Sequence, residues 1–224
     1  ASAQTIELKL GNTTPAGGNQ SLVAEEFAKR VNEKLAGKVK VTVFNNSQLG
    51  NERELLQKLK IGTVDFSQPS TIMSTIAPEF GVFDMPYLLK DRAHVARFVD
   101  KVFWSDLAPK SEAKGYKIIA VYENGIRHIT NNKRPIDTPA DLKGLKIRMM
   151  GNPVFVDTMN SLGGNGVAMG YDQLINALQT GVVDGAENNP PSYESGQHYR
   201  YAKYYSNTGH LIIPEILVFS KKIW

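Results

Sequence analysis

The chain has 224 residues, 42% of them hydrophobic, which suits one large or two modest globular domains. Its net charge of +4 sets 26 basic against 22 acidic residues without a basic block, which argues against nucleic acid and is compatible with small anions. Cysteine is absent, excluding disulfides, thiolate metal sites and a cysteine nucleophile, and no apolar run approaches the ~20 residues of a membrane span.

Ala1-Ser2-Ala3 has the small-residue form that signal-peptide removal leaves, so the chain reads as exported, an expression scar being the alternative. Ile6 to Leu10 alternates as a strand and breaks at a Gly/Thr/Asn loop containing Thr13, which offers N–H groups and hydroxyls at a strand end. From Ser21 a helix carries Val23, Phe27, Val31 and Leu35 on one stripe and closes at Gly37. Val39 to Val43 alternates as a strand. Asn51 caps a helix with Leu55, Leu56 and Leu59 inward and Gly62 at its end. Val64 to Phe66 is a third strand, followed by the polar residues Gln68, Ser70 and Thr71.

The aromatic-rich run from Phe80 to Leu89 reads as core or as an inter-lobe seam. Asp91 opens one helix, and Trp104 to Lys114 is another. Ile118 to Tyr122 is a strand, Gly125 a turn and Ile126 to Thr130 a further strand carrying Arg127 and His128. The lobe change falls near Glu123–Gly125, giving a first lobe over 1–124, a second over 125–210 and a return to the first over 211–224.

Two successive strand–helix units then follow. Leu145 to Met149 is a strand, Asn152-Pro153 starts a helix, and Gly163-Gly164 stop it. Val167 to Met169 is a strand, Asp172 caps the next helix, and Gly181 ends it. Val182-Val183 start the strand that delivers Glu187, Asn188 and Asn189. Such units imply a parallel sheet whose strands share one carboxyl edge, where ligands of open α/β sheets sit. Arg148 and Asn188 both arrive there beside helix N-termini, which predicts a carboxylate site, a surface ion pair being the alternative for Arg148. After Pro191 a tyrosine-rich helical stretch runs to about Tyr205, and Leu211 to Ser220 is a strand returning to the first lobe. Lys221 to Trp224 reads like the start of a helix in a longer protein.

Catalytic patterns are missing. There is no nucleophile elbow and no P-loop, and Gly163-Gly164-Asn165-Gly166 follows a helix where a dinucleotide fingerprint needs a strand. His94, His128, His198 and His210 lack metal-ligand spacing. Asp184 and Glu187, three apart on a strand, face opposite sides. The chain therefore reads as a binding module and not an enzyme, with no metal and no cofactor.

The runs DLKGLKIR and ALQTGVVDGAENN, with SQLGNERELLQKLKIGTVDF and PEFGVFDMPYLLKDRAH upstream, resemble the DctP-like solute-binding proteins of tripartite ATP-independent periplasmic (TRAP) transporters. The likeness covers essentially the whole chain. It implies a two-lobed α/β fold like that of periplasmic binding proteins. Each lobe is a mostly parallel sheet flanked by helices, with the ligand cleft between the lobes and further C-terminal helices beyond residue 224. It also implies a periplasmic, monomeric receptor that passes an organic acid to a membrane permease.

By the same resemblance Arg148 pairs bidentately with the ligand carboxylate, Arg127 reaches the ligand from the preceding strand, and Asn188 helps hold the carboxylate. Tyr171 lies against the ligand's apolar face. Thr13, Ser70 and Thr71 fall at substrate-dependent positions, Asn152 near a contacting one. A serine at position 70, where sialic-acid binders are acidic, argues against sialic acid. The AENNPPSYESGQHYRYAKYYS and IPEILVFSKK segments look most like members that bind glucuronate and galacturonate, and Gln68 and Glu215 suit sugar hydroxyls. A C4-dicarboxylate, a keto acid or another sugar acid stays open as the ligand. From a different class, a sugar-acid isomerase or lyase is the alternative.

Overall fold

The computed structural model describes residues 4–224; the Ala1-Ser2-Ala3 cleavage reading lies outside them. The first half builds β1 (Ile6–Gly11), α1 (Asn19–Lys34), β2 (Val39–Phe44), α2 (Glu52–Ile61) and β3 (Phe66–Ser67). The start of α2 is written locally. The Asn51 side chain accepts from the Glu54 N–H at 3.1 Å while the Glu54 carboxylate accepts from the Asn51 N–H at 2.9 Å. Gly62 closes the helix at φ 80°. Two 3-10 helices follow, Ser70–Thr75 and Pro78–Asp84. Then α3 (Arg92–Phe98), a π-helical segment Val99–Leu107 and α4 (Ala108–Ala113) lead to β4 (Tyr116–Asn131). The second half adds β5 (Lys146–Met149), α5 (Pro153–Ser161), β6 (Asn165–Ala168), α6 (Tyr171–Thr180), β7 (Gly185–Asn188), α7 (Pro190–Ser195) and β8 (Tyr204–Ser220).

All eight strands form one sheet in the order β2-β1-β3-β8-β4-β7-β5-β6. Strands β1, β2 and β3 run parallel to one another, as do β5, β6 and β7. Between the two sets lies the long antiparallel pair β4–β8, against which both β3 and β7 are antiparallel. From these registers the carboxyl ends of β3 and β7 point toward each other across the middle of the β4–β8 ladder. The two-lobed α/β reading holds, with the feature that both halves share one sheet.

Several local expectations are corrected. The two strands and turn expected between Ile118 and Thr130 are one strand, β4. Gly125 takes φ +135° inside it, at a register shift, and a Cβ there would lie 2.8 Å from the Asn189 Cβ. Strand β8 starts at Tyr204, seven residues before the expected Leu211, because pairing with β4 recruits Tyr204, Tyr205 and Ser206. The helical stretch expected to Tyr205 shrinks to α7 and a 3-10 turn at His198–Arg200. The helices expected from Asp91 and Trp104 are one continuous helical run. Asp172 lies in the first turn of α6, whose N-cap is Gly170. In α1 the buried face carries Ser21, Ala24 and Ala28, with Phe27 and Val31 only partly buried and Leu35 exposed. At Lys221–Trp224 the Ile223 and Trp224 N–H groups both donate to the Ser220 carbonyl at 3.1 Å in a single turn.

The main core joins both halves. It takes Leu55, Leu56 and Leu59 of α2, Phe80, Phe83 and Phe103, Ile147 and Met149 of β5, Phe155 and Met159 of α5, and Ile213 and Ile216 of β8. Within the run from Phe80 to Leu89, Phe80, Phe83 and Leu89 are core, the two phenylalanines stacking edge-on with Phe103 and Phe98, whereas Met85, Tyr87 and Leu88 are exposed.

Candidate functional site

Where the two carboxyl edges meet, a cleft encloses about 350 Å³ of atom-free space, its mouth included. Its walls are mostly polar. The first half contributes Thr13, Thr14, Gln20, Glu52, Gln68 and Ser70; the middle of β4 gives Asn124 and Arg127. The second half gives Arg148, Met150, Tyr171, Asn188 and Ser192. Seven of the ten residues expected from sequence therefore come together here: Thr13, Gln68, Ser70, Arg127, Arg148, Tyr171 and Asn188.

Arg148 is 1% exposed. Its Nε donates to the Met169 carbonyl at 2.9 Å, which orients the fork, and its terminal nitrogens donate no hydrogen bond among the described residues. The nearest carboxylate, Glu52 of α2, stands 3.7 Å from Nη2. Burial removes water from this guanidinium and lowers its pKa, with Glu52 opposing. The Tyr171 ring lies 5.9 Å from the guanidinium carbon, and its hydroxyl donates to the Ser192 carbonyl at 3.2 Å. A desolvated cation whose two outer nitrogens are unspent has the geometry to take a planar carboxylate bidentately.

Arg127 is arranged differently. Its Nε and Nη2 each meet the Glu187 carboxylate at 2.6 Å, Nη2 also donates to the Glu187 carbonyl, and Nη1 meets Asn124 Oδ1 at 3.4 Å. His210 Nε2 lies 3.0 Å from the same carboxylate. Burial pushes the Glu187 carboxyl up, but the Arg127 charge and hydrogen bonds, with His210, hold it at about 2. Glu187 thus balances Arg127 and leaves mainly its Nη1 side to the cleft. Asn188 lines the cleft with Oδ1 accepting from the Asn189 N–H at 2.8 Å.

The three other expected residues sit behind the walls. Asn152 caps α5 by accepting from the Phe155 N–H at 3.0 Å. Its amide points to the Thr71 hydroxyl at 3.5 Å, and that hydroxyl contacts Met150 Sδ at 3.3 Å, so the pair bridges the two halves. Glu215 is fully buried and accepts from the Ser70 N–H at 2.7 Å, the Asn124 amide at 3.0 Å and the Gln20 amide. Burial raises its carboxyl to about 7 against those bonds. Ser70 and Gln68 line the cleft, and the Ser70 hydroxyl and Gln68 Oε1 are buried without a partner among the described residues.

Sequence reading missed Glu52, Gln20, Asn124 and the pairing role of Glu187. Glu52 reads as an ordinary first-turn helix carboxylate, and Asn124 sits in what looks like a turn. His198, also unassigned, is buried against the Tyr171 ring; burial and the Arg148 charge lower it to about 4. No group of three or more His, Asp or Glu able to hold a metal occurs among the described residues, and no helix there is long and apolar enough to cross a membrane.

The family model for bacterial extracellular solute-binding proteins, family 7 (DctP), matches residues 10–224. A solute-binding protein of Chromohalobacter salexigens is 35% identical over 223 residues, 99% of this chain and 66% of that relative, so the chain spans about two thirds of its length. A TRAP periplasmic solute-binding protein from a Sulfitobacter species, solved with β-D-galacturonate, superposes with a TM-score of 0.93 at 38% identity, covering 97% of this chain and 73% of that one. A counterpart from Pseudomonas putida, solved with D-glucuronate, gives 0.92 at 36% identity over 98% of this chain and 72% of its own. These neighbours are substrate-binding receptors and not enzymes. The sheet, the cleft at its converging edges and the family match agree: the chain belongs to the DctP family, family 7 of the bacterial extracellular solute-binding proteins.

Proposed function

We propose that the protein is the periplasmic receptor of a TRAP transporter, capturing a C6 sugar acid such as D-galacturonate or D-glucuronate and delivering it to the membrane permease. The observation that carries this reading is Arg148, a buried cation with two unspent nitrogens facing a polar cleft. The ligand carboxylate docks on that fork, with Asn188 and Arg127 Nη1 completing its shell and Tyr171 packing on the sugar ring. Gln68, Ser70 and Thr13 read the hydroxyls. Residues 1–124 and 125–210 act as lobes that close on the acid, with β4 and β8 as the crossing strands. The bound uronates of the Sulfitobacter and Pseudomonas neighbours support the ligand class.

Thermal unfolding against galacturonate, glucuronate, gluconate, succinate and pyruvate tests it. A ligand at a hundred times its Kd adds about 2.7 kcal/mol, or about 5–10 °C in Tm for a chain of this size. The expected result is a shift with uronates that Arg148→Ala cuts to about a third or less, its loss being about 2 kcal/mol or more in binding. A shift with succinate or pyruvate alone would discard the sugar acid, and uronate binding unchanged in Arg148→Ala would discard the site.

A further inference from the structure

Glu215 does not line the cleft, yet it touches three residues that do. Its carboxylate takes four donors: the Ser70 and Ile216 N–H groups on Oε1 at 2.7 and 3.1 Å, and the Asn124 and Gln20 amides on Oε2. Ser70, Asn124 and Gln20 come from the 3-10 helix after β3, the middle of β4 and the start of α1. Only an acceptor-only group, as this carboxyl is when ionised, satisfies all four.

Ser70 is the residue most dependent on this anchor. It sits at φ +52°, where serine is held by its surroundings, and its N–H is spent on Glu215. That conformation fixes the Ser70 hydroxyl, which, like Gln68 Oε1, is buried without a partner among the described residues. Gln68 is itself held through its amide by the Gln20 carbonyl at 3.1 Å and by the Tyr122 hydroxyl. Two unsatisfied polar atoms on residues that line the cleft are a demand for ligand hydroxyls.

We propose that Glu215 is a positioning residue that sets the hydroxyl-reading wall of the cleft, determining selection of polyhydroxylated acids without touching the ligand. This rests on the sugar-acid reading above. A glutamine cannot replace it. Whichever end of the amide carries its NH2 faces two donors, and on the Oε1 side both are backbone N–H groups that cannot turn. Asn124 is also committed, its Oδ1 accepting from the Asn189 amide at 3.0 Å.

The test is a double-mutant cycle by calorimetry with galacturonate: the unmutated protein, Glu215→Gln, Ser70→Ala and the pair. Glu215→Gln is expected to weaken binding about tenfold or more, and Ser70→Ala to add little in its presence, since the hydroxyl is already misplaced. Glu215→Gln binding within about twofold, or losses that simply multiply, would overturn the proposal. Glu215→Asp, which keeps the buried acceptor but withdraws it, is the second variant if the glutamine fails to fold; it should give a smaller loss with the same coupling. In the unmutated protein the Ser70 amide should exchange slowly with and without galacturonate. Free-rate exchange without ligand would equally overturn the anchor. No binding of galacturonate by the unmutated protein would instead overturn the sugar-acid reading, leaving the exchange measurement to judge Glu215.

Discussion

Asp84 and Glu187 are both completely buried carboxylates, and their surroundings treat them in opposite ways. Both Asp84 oxygens lack a hydrogen-bond partner among the described residues, since the neighbouring Ser74 hydroxyl donates to the Thr71 carbonyl at 2.8 Å. Desolvation lifts the Asp84 carboxyl from 3.8 to about 7, with the nearby Glu187 charge adding to it and Arg127 opposing. A carboxyl raised in the native state favours folding while protonated. Its contribution is full below pH 3.8, declines as pH rises, and is lost above about 7. Asp84→Asn should therefore raise stability at pH 8 by about 1–3 kcal/mol and change it little at pH 4. Urea unfolding at both values checks this, and an equal effect at the two would sink it. Nothing in the run from Phe80 to Leu89 announces this residue, because a hydrophobic pattern tells that a segment is buried and not which neighbours its one carboxylate meets.

Elements differ in how locally they are determined, and two substitutions separate the cases. The Asn51 cap of α2 involves residues three apart and was legible from Asn51 and the leucine stripe, the structure adding the reciprocal bond from Glu54. Asn51→Ala should cost about 1 kcal/mol in urea unfolding without disturbing the fold. Gly185 falls in sequence inside the strand expected from Val182-Val183, with nothing local to say what it meets. In the structure it opens β7, and a Cβ there would lie 1.9 Å from the Thr130 carbonyl oxygen of β4. Gly185→Ala must push the two strands apart and should cost about 3 kcal/mol, the upper end of overpacking. A loss no larger than that of Asn51→Ala would show that the strands yield freely. The same dependence on pairing explains β8: its first seven residues carry tyrosines and polar groups without clean alternation, and only β4 makes them a strand.

At the scale of the molecule, β4 and β8 belong to both halves, and Arg127, Glu187 and His210 tie β4, β7 and β8 together where the halves meet. Glu187 is depressed from 4.5 to about 2, so its contribution to folding is present above pH 4.5 and lost as pH falls through about 2. An acid limb of stability between those values is expected from denaturant unfolding. Glu187→Ala should flatten that limb and destabilise the protein by about 3–5 kcal/mol at neutral pH, because the Arg127 charge is left buried alone. A limb that persists unchanged in the variant would place the linkage elsewhere.

The βα order, the caps of α2 and α5, the aromatic core segment and the delivery of Arg148 and Asn188 to a carboxyl edge were all determined by the sequence itself. Each depends on periodicity or on residues a few positions apart, and the family resemblance of the quoted runs added the two-lobed frame. Tertiary structure decided what those residues meet. Arg127 and Glu187 are separated by 60 positions, Asn124 and Glu215 by 91, and Ser70 and Glu215 by 145, distances over which no spacing rule operates. The merging of two parallel sets into one sheet likewise needed the register of β4 on β8. A local signal specifies an element, whereas the partner of a buried charge is chosen by the packing that excludes water around it, and that choice exists only once the sheet has formed.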